Sequence, residues 1–302
     1  MLPIQSPLLY ALGSNLSFAF ASTIYADFAK KVSPIWMNFH KSLVAWICFI
    51  SVASLLSLYI PLSIFSLVAF FLSGFLGLFI GDTFLLKAFA ELGSGRTLMV
   101  FGFQPLILGA SSYFLFDERI SPIKFLAILF LVGCVFSFSL ESSKLKGHWG
   151  VQGLLFAFAG VLLDAAGLLL TRYGFNENVG ISPFYVNVIR TSGAIFGFAC
   201  LFQLQRISKF NFQFSPFKPF FALTPKDRWI ASLAGALGTF ISLSFYLHAV
   251  QIGNLASVSA VAGTSPVLAT LIETARGRRP LTPHLLVGAT LFLIGFLILT
   301  LA

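Results

Sequence analysis

Ser33-Pro34-Ile35-Trp36-Met37-Asn38-Phe39-His40-Lys41 and Ser182-Pro183-Phe184-Tyr185-Val186-Asn187-Val188-Ile189-Arg190 decide the fold. They align without a gap at an offset of 149 residues (182 − 33 = 149), with Ser-Pro, Asn and a closing basic residue in register. At the same offset Asn15 stands opposite Asp164. Later in each half the offset is 161 (235 − 74 = 161), where Gly74-Phe75-Leu76-Gly77 matches Gly235-Ala236-Leu237-Gly238. Gly102-Phe103-Gln104-Pro105 likewise matches Gly263-Thr264-Ser265-Pro266, and Ser121-Pro122 matches Thr282-Pro283. The 12 extra residues (161 − 149 = 12) fall in the basic segment 205–228. Self-similarity in register over most of the chain marks a duplicated structural unit.

Composition identifies the solvent of that unit. Of 302 residues, 58% are hydrophobic and 10% charged, with a mean hydropathy of +0.93, whereas soluble domains carry roughly a quarter charged residues. A spanning helix takes roughly 20 mainly apolar residues, and apolar runs between polar breaks predict ten spans. Their approximate limits are 7–28, 34–58, 65–90, 97–116, 122–140, 150–171, 183–204, 229–250, 255–274 and 283–301. Each span must satisfy its own backbone in lipid, which predicts an all-α polytopic membrane protein. The duplication divides it into two five-helix repeats, 1–146 and 147–302, the second carrying the inserted loop 205–228. An odd number of spans per unit turns the second copy upside down, the inverted plan of many secondary carriers. Ala19-Phe20-Ala21 has the A-x-A form of a cleavage site, but no positive region precedes the apolar run, so the first span is expected to be retained.

Lysine and arginine outside the spans set the orientation. The odd-numbered connections hold Lys30, Lys31, Arg96, Lys144, Lys146, Arg206, Lys209, Lys218, Lys226, Arg228, Arg276, Arg278 and Arg279, and the even-numbered ones hold Arg119, Lys124 and Arg172. This places the odd connections in the cytoplasm and both termini outside, in a multi-pass protein of the cell (inner, cytoplasmic) membrane. The net charge of +9 is thus a topology signal, and no nucleic-acid partner is expected. The expected partners are a small-molecule substrate and membrane lipids, with the chain a monomer or homodimer. Residues 210–221, rich in Phe and carrying Lys218, suit either a segment lying on the anionic inner leaflet or a plain linker.

Cys48, Cys134 and Cys200 lie in apolar stretches and read as packing residues, so neither a metal nor another cofactor is expected. The chain has no G-x-x-x-x-G-K-[ST], H-E-x-x-H or G-x-S-x-G pattern, which argues against ATP-driven pumping and against an enzyme.

Charges inside spans are the functional candidates, because placing one at the bilayer centre costs on the order of 2.5–3.5 kcal/mol by insertion scales. Lys41 and Arg190 each lie about seven residues inside a span, roughly 10 Å deep at 1.5 Å per residue, too far to snorkel easily. Lys87 is near enough to a helix end to do so. Asn38 and Asn187 stand three residues before the basic residues, on the same helix face. Together with Asn15 and Asp164 these form the expected substrate site. The alternative is that Lys41 and Arg190 only pair with Asp82 and Asp164 to fix packing. Asp82, whose repeat position is Leu243, is a candidate for proton or cation coupling, with His40 and His248 as possible relays. Pro105 and Pro266 are expected to kink or break their helices. Gly74, Gly77, Gly81, Gly235 and Gly238 allow close helix approach.

From Ala88 through Glu118 the first half runs through an alanine-rich turn, Pro105 and Phe116-Asp117-Glu118-Arg119-Ile120-Ser121, followed by a fifth span containing Gly133. The second half echoes this from Ala249 through Pro283. In these features the chain resembles the drug/metabolite transporter superfamily, EamA-type branch, over nearly its whole length. The resemblance implies export or exchange of amino acids, sugars, nucleotides or other metabolites by alternating access, often coupled to protons. It also implies cytoplasmic termini, opposite to the charge count, and a glutamate where this chain has Arg279.

These features together describe a secondary active transporter with a cavity between spans 1–4 and 6–9. Basic residues flanking it from both sides favour a small polar or anionic metabolite such as an amino acid or its derivative. A flippase for a lipid or lipid-linked headgroup is the alternative. An intramembrane enzyme is the third reading: Gly81-Asp82 with Tyr25 and Asp27 is weakly similar to intramembrane aspartyl proteases, and requires a carboxylate such as Asp164 across from Asp82.

Overall fold

The computed structural model describes residues 6–28, 32–92, 94–144, 150–207, 214–275, 277 and 281–301. The boundary between residues 146 and 147 lies outside them, as do Lys30, Lys31, Lys146, Lys209, Arg276, Arg278 and Arg279.

Helix starts are written as Ser/Thr-Pro. Ser33 Oγ accepts from Trp36 N at 3.2 Å, and Thr224 Oγ1 accepts from Asp227 N at 3.1 Å. Ser121, Ser182 and Thr282 accept in the same way from Lys124, Phe184 and Leu285 at 3.3 Å. The hydroxyl satisfies one of the free N–H groups of the first turn, and proline follows where its missing N–H is harmless.

The first half contains α1 (Pro7–Phe28), α2 (Pro34–Leu55), α3 (Ile64–Ser73), a π-helical segment π1 (Gly74–Gly81), α4 (Asp82–Leu92), α5 (Ser94–Phe101), α6 (Gln104–Phe116) and α7 (Pro122–Lys144). The second contains α8 (Val151–Glu177), α9 (Pro183–Ile207), the short α10 (Lys218–Ala222), α11 (Pro225–Gly235), π2 (Ala236–Ile241), α12 (Ser242–Ile252), α13 (Leu255–Ala262), α14 (Ser265–Ala275) and α15 (Pro283–Leu301). With α3–π1–α4, α5–α6, α11–π2–α12 and α13–α14 each forming one rod, and α10 a linker helix, the described residues make the expected all-α polytopic bundle of ten membrane helices in two inverted five-helix repeats. Eight runs are long and apolar enough to cross a membrane, and Pro122–Ser137 is a shorter apolar helix. α1 is 22 residues long but is diluted by Ser14, Asn15, Ser17, Ser22 and Thr23.

The repeat is visible element by element. At the offset of 161, Ser94–Phe101 falls on Leu255–Ala262, and π1 falls on π2. The predicted proline breaks occur one step upstream of the ring, at Gly102–Phe103 and at Gly263–Thr264, so that Pro105 occupies the first turn of α6. Between the halves, α2 packs on α9, α7 on α15, α8 on π1 and α4, and α1 on π2 and α12. The bundle's outside is apolar, with Phe65, Phe114, Leu155 and Leu293 exposed, as a lipid-facing surface requires.

Some boundaries differ from expectation. The eighth span begins at Pro225 and not at Trp229, because the Thr224 cap starts the helix before the apolar run does. α8 continues past Thr171 to Glu177, since Arg172, Tyr173 and Asn176 are polar yet compatible with helix. The described part of 205–228 folds back on the bundle: Phe214 is buried against Phe39 and Phe198, and Trp36 Nε1 donates to Pro216 O at 2.9 Å.

Candidate functional site

Two close crossings build the centre. A Cβ added to Gly74 would lie 1.7 Å from the carbonyl oxygen of Arg190, and one added to Gly235 would lie 3.3 Å from Lys41 Cα. Each basic residue therefore crosses the small-residue stretch of the other half, so the duplication seen in the sequence is a pseudo-twofold arrangement in space.

Lys41 on α2 and Asp82 at the start of α4 form an ion pair, Nζ to Oδ2, at 2.7 Å. Their side chains are 18% and 21% exposed, so the pair borders open space. Arg190 is 1% exposed; its Nε donates to Ser73 Oγ at 2.9 Å, and its Nη1 has no partner within the protein. The expected pairing of Arg190 with Asp164 does not form as a contact. Asp164 Oδ2 instead accepts from Gln104 Nε2 at 2.5 Å. Asp164 still lies within electrostatic reach of Asp82, Arg190 and Lys41, so the four charges form one cluster. Two cations and two carboxylates give it no net charge.

The amides surround this cluster. Asn15 Nδ2 donates to Val261 O at 2.8 Å and to Thr264 Oγ1 at 2.7 Å, holding the break between α13 and α14. Its repeat mate Asp164 holds the break between α5 and α6 through Gln104. Asn38 Nδ2 donates to Leu78 O in π1 at 3.1 Å, and Asn187 Nδ2 donates to Leu243 O beside π2 at 3.3 Å. A π turn leaves backbone carbonyls without their usual helical donor, and such turns recur at functional sites. The Oδ1 atoms of Asn15, Asn38 and Asn187 are buried without a partner in the protein. Leaving a buried polar atom unmet costs about 1–3 kcal/mol, and three acceptors and one guanidinium donor around the cluster stand in that condition.

The two histidines lie in aromatic contacts. His40 stacks on Trp36 with ring centres 4.9 Å apart, and its Nε2 is 3.2 Å from Ser232 Oγ. His248 meets the edge of Tyr10 at 4.2 Å. Asp82 and Asp164 have separate partners, Lys41 and Gln104, and share no hydrogen bond of the kind a two-carboxylate catalyst uses. A shallow cavity of about 640 Å³ lined by Tyr113, Asp117, Tyr173 and Glu177 lies at one end of the bundle, away from the four charges.

Sequence reasoning passed over Gln104 as a site residue, although it is the third residue of the repeated Gly102-Phe103-Gln104-Pro105 stretch. It also missed Ser73, which only the crossing at Gly74 brings to Arg190.

The comparisons with known proteins bear on the fold. No curated protein matches the chain. Twenty-nine solved chains match it in structure. One crystal structure has a TM-score of 0.77 at 17% identity, covering 98% of this chain and 96% of its own, a likeness of fold. The model of the EamA-like transporter family matches twice, over residues 5–140 and 151–301, once per repeat. A chain that matches this family over nearly its full length, and repeats its five-helix unit in inverted pose, belongs to the EamA-like transporter family of the drug/metabolite transporter superfamily.

Proposed function

We propose that this multi-pass membrane transporter is a secondary active carrier of a small polar or anionic metabolite, such as an amino acid or its derivative, working by alternating access as an exporter or exchanger. The observation that carries the reading is the charge cluster of Lys41, Asp82, Asp164 and Arg190 at the crossing of the two repeats, with unmet buried atoms on Asn15, Asn38, Asn187 and Arg190 around it. An anionic group suits Arg190 Nη1, and N–H or O–H groups on the same molecule suit the three amide oxygens. The cluster is neutral as it stands, so a proton taken up by Asp82 or Asp164 leaves it net positive and prepares it for an anion. That is the physical basis for coupling to protons. Lipids surround the bundle, and the chain acts as a monomer or homodimer in the cell membrane.

The test is uptake by the purified protein in vesicles, using substrates first selected by thermal shift among amino acids, organic acids, sugar phosphates and nucleosides. Lys41→Ala and Arg190→Ala are expected to reduce uptake at least tenfold; wild-type uptake by both variants would reject the site. The charge count keeps both termini outside. On that orientation Val179, 95% exposed between α8 and α9, reacts as Val179→Cys with an impermeant maleimide added to intact cells. Reaction only after the cells are opened reverses the orientation.

A further inference from the structure

We propose that Glu118 and Arg172 form an ion-pair latch that holds one end of the bundle shut, and that the repeat does not reproduce this pair at the other end. The role rests on the carrier reading above. The closed end is the one carrying the connections 117–121, 178–182 and 253–254. There α6 packs along α13, and a Cβ added to Gly109 would lie 3.2 Å from Ala256 Cβ. The pair related to them by the repeat, α14 and α5, makes no comparable contact among the described residues.

The latch starts at Asp117, whose left-handed φ of 52° ends α6 and turns Glu118 toward the second half. Glu118 Oε2 accepts from Asn254 Nδ2 and from Leu255 N, both at 3.1 Å. Leu255 is the first residue of α13, so the carboxylate meets a backbone N–H that has no partner inside its own helix. Glu118 Oε1 lies 2.8 Å from Arg172 Nη2 on α8. Arg172 Nη1 donates to Val250 O at 2.7 Å and to Gln251 O at 3.0 Å, in the last turn of α12. One carboxylate and one guanidinium thereby tie α6 of the first half to α8, α12 and α13 of the second. The side chains of Arg172 and Glu118 are 15% and 10% exposed, against 80% and 76% for the neighbouring Arg119–Asp117 pair. The sheltered pair escapes the solvent and salt screening that weakens the exposed one.

The repeat does not carry the latch residues over to the other half. The positions corresponding to Glu118, Arg172 and Asn254 are Arg279, Thr23 and Gly93. None of these supplies a carboxylate, and Thr23 Oγ1 donates to Phe20 O on its own helix. Two identical halves would give two equivalent ends. A pair placed at one end and not repeated by the duplication shifts the resting population toward the state closed at that end.

The test uses purified full-length protein in detergent with Cys48→Ala and Cys200→Ala. Ser112→Cys reports on the α6 seam, because Ser112 is fully buried one turn beyond Gly109 on the same buried face of α6. The native Cys134, fully buried in the α7–α15 seam, reports general loosening. Glu118→Gln and Arg172→Gln are each expected to speed maleimide labelling of Ser112→Cys about tenfold while Cys134 stays slow. Arg172→Lys keeps the charge with fewer donors and should fall between wild type and Arg172→Gln. Unchanged labelling at Ser112→Cys, parallel acceleration at Cys134, or a faster rate for Arg172→Lys than for Arg172→Gln overturns the latch. Labelling requires no substrate, so its failure leaves the carrier reading standing, whereas absent transport with positive labelling removes that reading and not the gate geometry.

Discussion

A lysine and an aspartate 2.7 Å apart inside a bilayer either serve a ligand or serve only each other, and the two roles predict different genetics. Removing Lys41 alone leaves Asp82 as an uncompensated charge. For a fully buried pair that costs about 3–5 kcal/mol, and less where each side chain is a fifth exposed, as in this pair. Changing both residues removes the penalty, and the second half offers the replacement, because Leu243 stands at the position equivalent to Asp82. Lys41→Met is therefore expected to lower the unfolding temperature, and Lys41→Met with Asp82→Leu to restore it. Uptake should stay lost in both. Recovery of uptake with stability in the double variant would show that the pair is only scaffold. The sequence made Lys41 and Arg190 legible because charge deep in an apolar span is costly enough to be informative on its own. It gave Lys41 its partner Asp82 but not Arg190 its own. Arg190 and Asp164 looked like a pair, yet Arg190 took Ser73 and Asp164 took Gln104, because helix rotation decides which groups meet and spacing along one helix does not contain it.

At the scale of elements, the two small-residue crossings look alike in sequence and differ in space. A methyl group on Gly74 would sit inside the backbone carbonyl of Arg190, whereas one on Gly235 would make a tight contact with Lys41 Cα. Backbone cannot rotate away as a side chain can. Overpacking costs typically about 1–3 kcal/mol, and more where a helix must move. Gly74→Ala should thus fail to yield monodisperse protein or lose at least 10 °C of thermal stability, while Gly235→Ala should fold with a shift of a few degrees. Equal tolerance of the two would contradict the crossing geometry. Capped helix starts and proline breaks were readable because Ser/Thr-Pro and Gly-x-x-Pro act through local chemistry. The segments π1 and π2 were not, since glycine-rich apolar sequence is equally compatible with a straight helix, and both segments pack against the other half, which local sequence does not encode. The extension of α8 to Glu177 was missed for a related reason: hydropathy marks where lipid ends, and a helix is free to continue beyond it.

For the whole molecule, the unequal packing of the two halves defines a state. Five-helix units related by an inverted repeat are interchangeable in principle, so whatever conformation one half adopts is available to the other. In this structure α6 packs along α13 while their mates make no comparable contact among the described residues, which makes the complementary arrangement, with α5 against α14, the expected second state. The repeat supplies its contact: Gly109 and Ala256, adjacent in this state, correspond to Thr270 and Gly95. A disulfide requires Cβ atoms about 3.5–4.5 Å apart, and the 3.2 Å between Ala256 Cβ and a Cβ added to Gly109 is close enough to cross-link with a small adjustment. In a background without Cys48, Cys134 and Cys200, Gly109→Cys with Ala256→Cys should therefore oxidise readily and arrest uptake until reductant is added. Gly95→Cys with Thr270→Cys should oxidise slowly in the resting protein, faster while substrate is being transported, and faster again with Glu118→Gln. If the second pair never cross-links while the protein is transporting, the halves do not exchange conformations, and motion in this carrier must be carried by something other than the duplication.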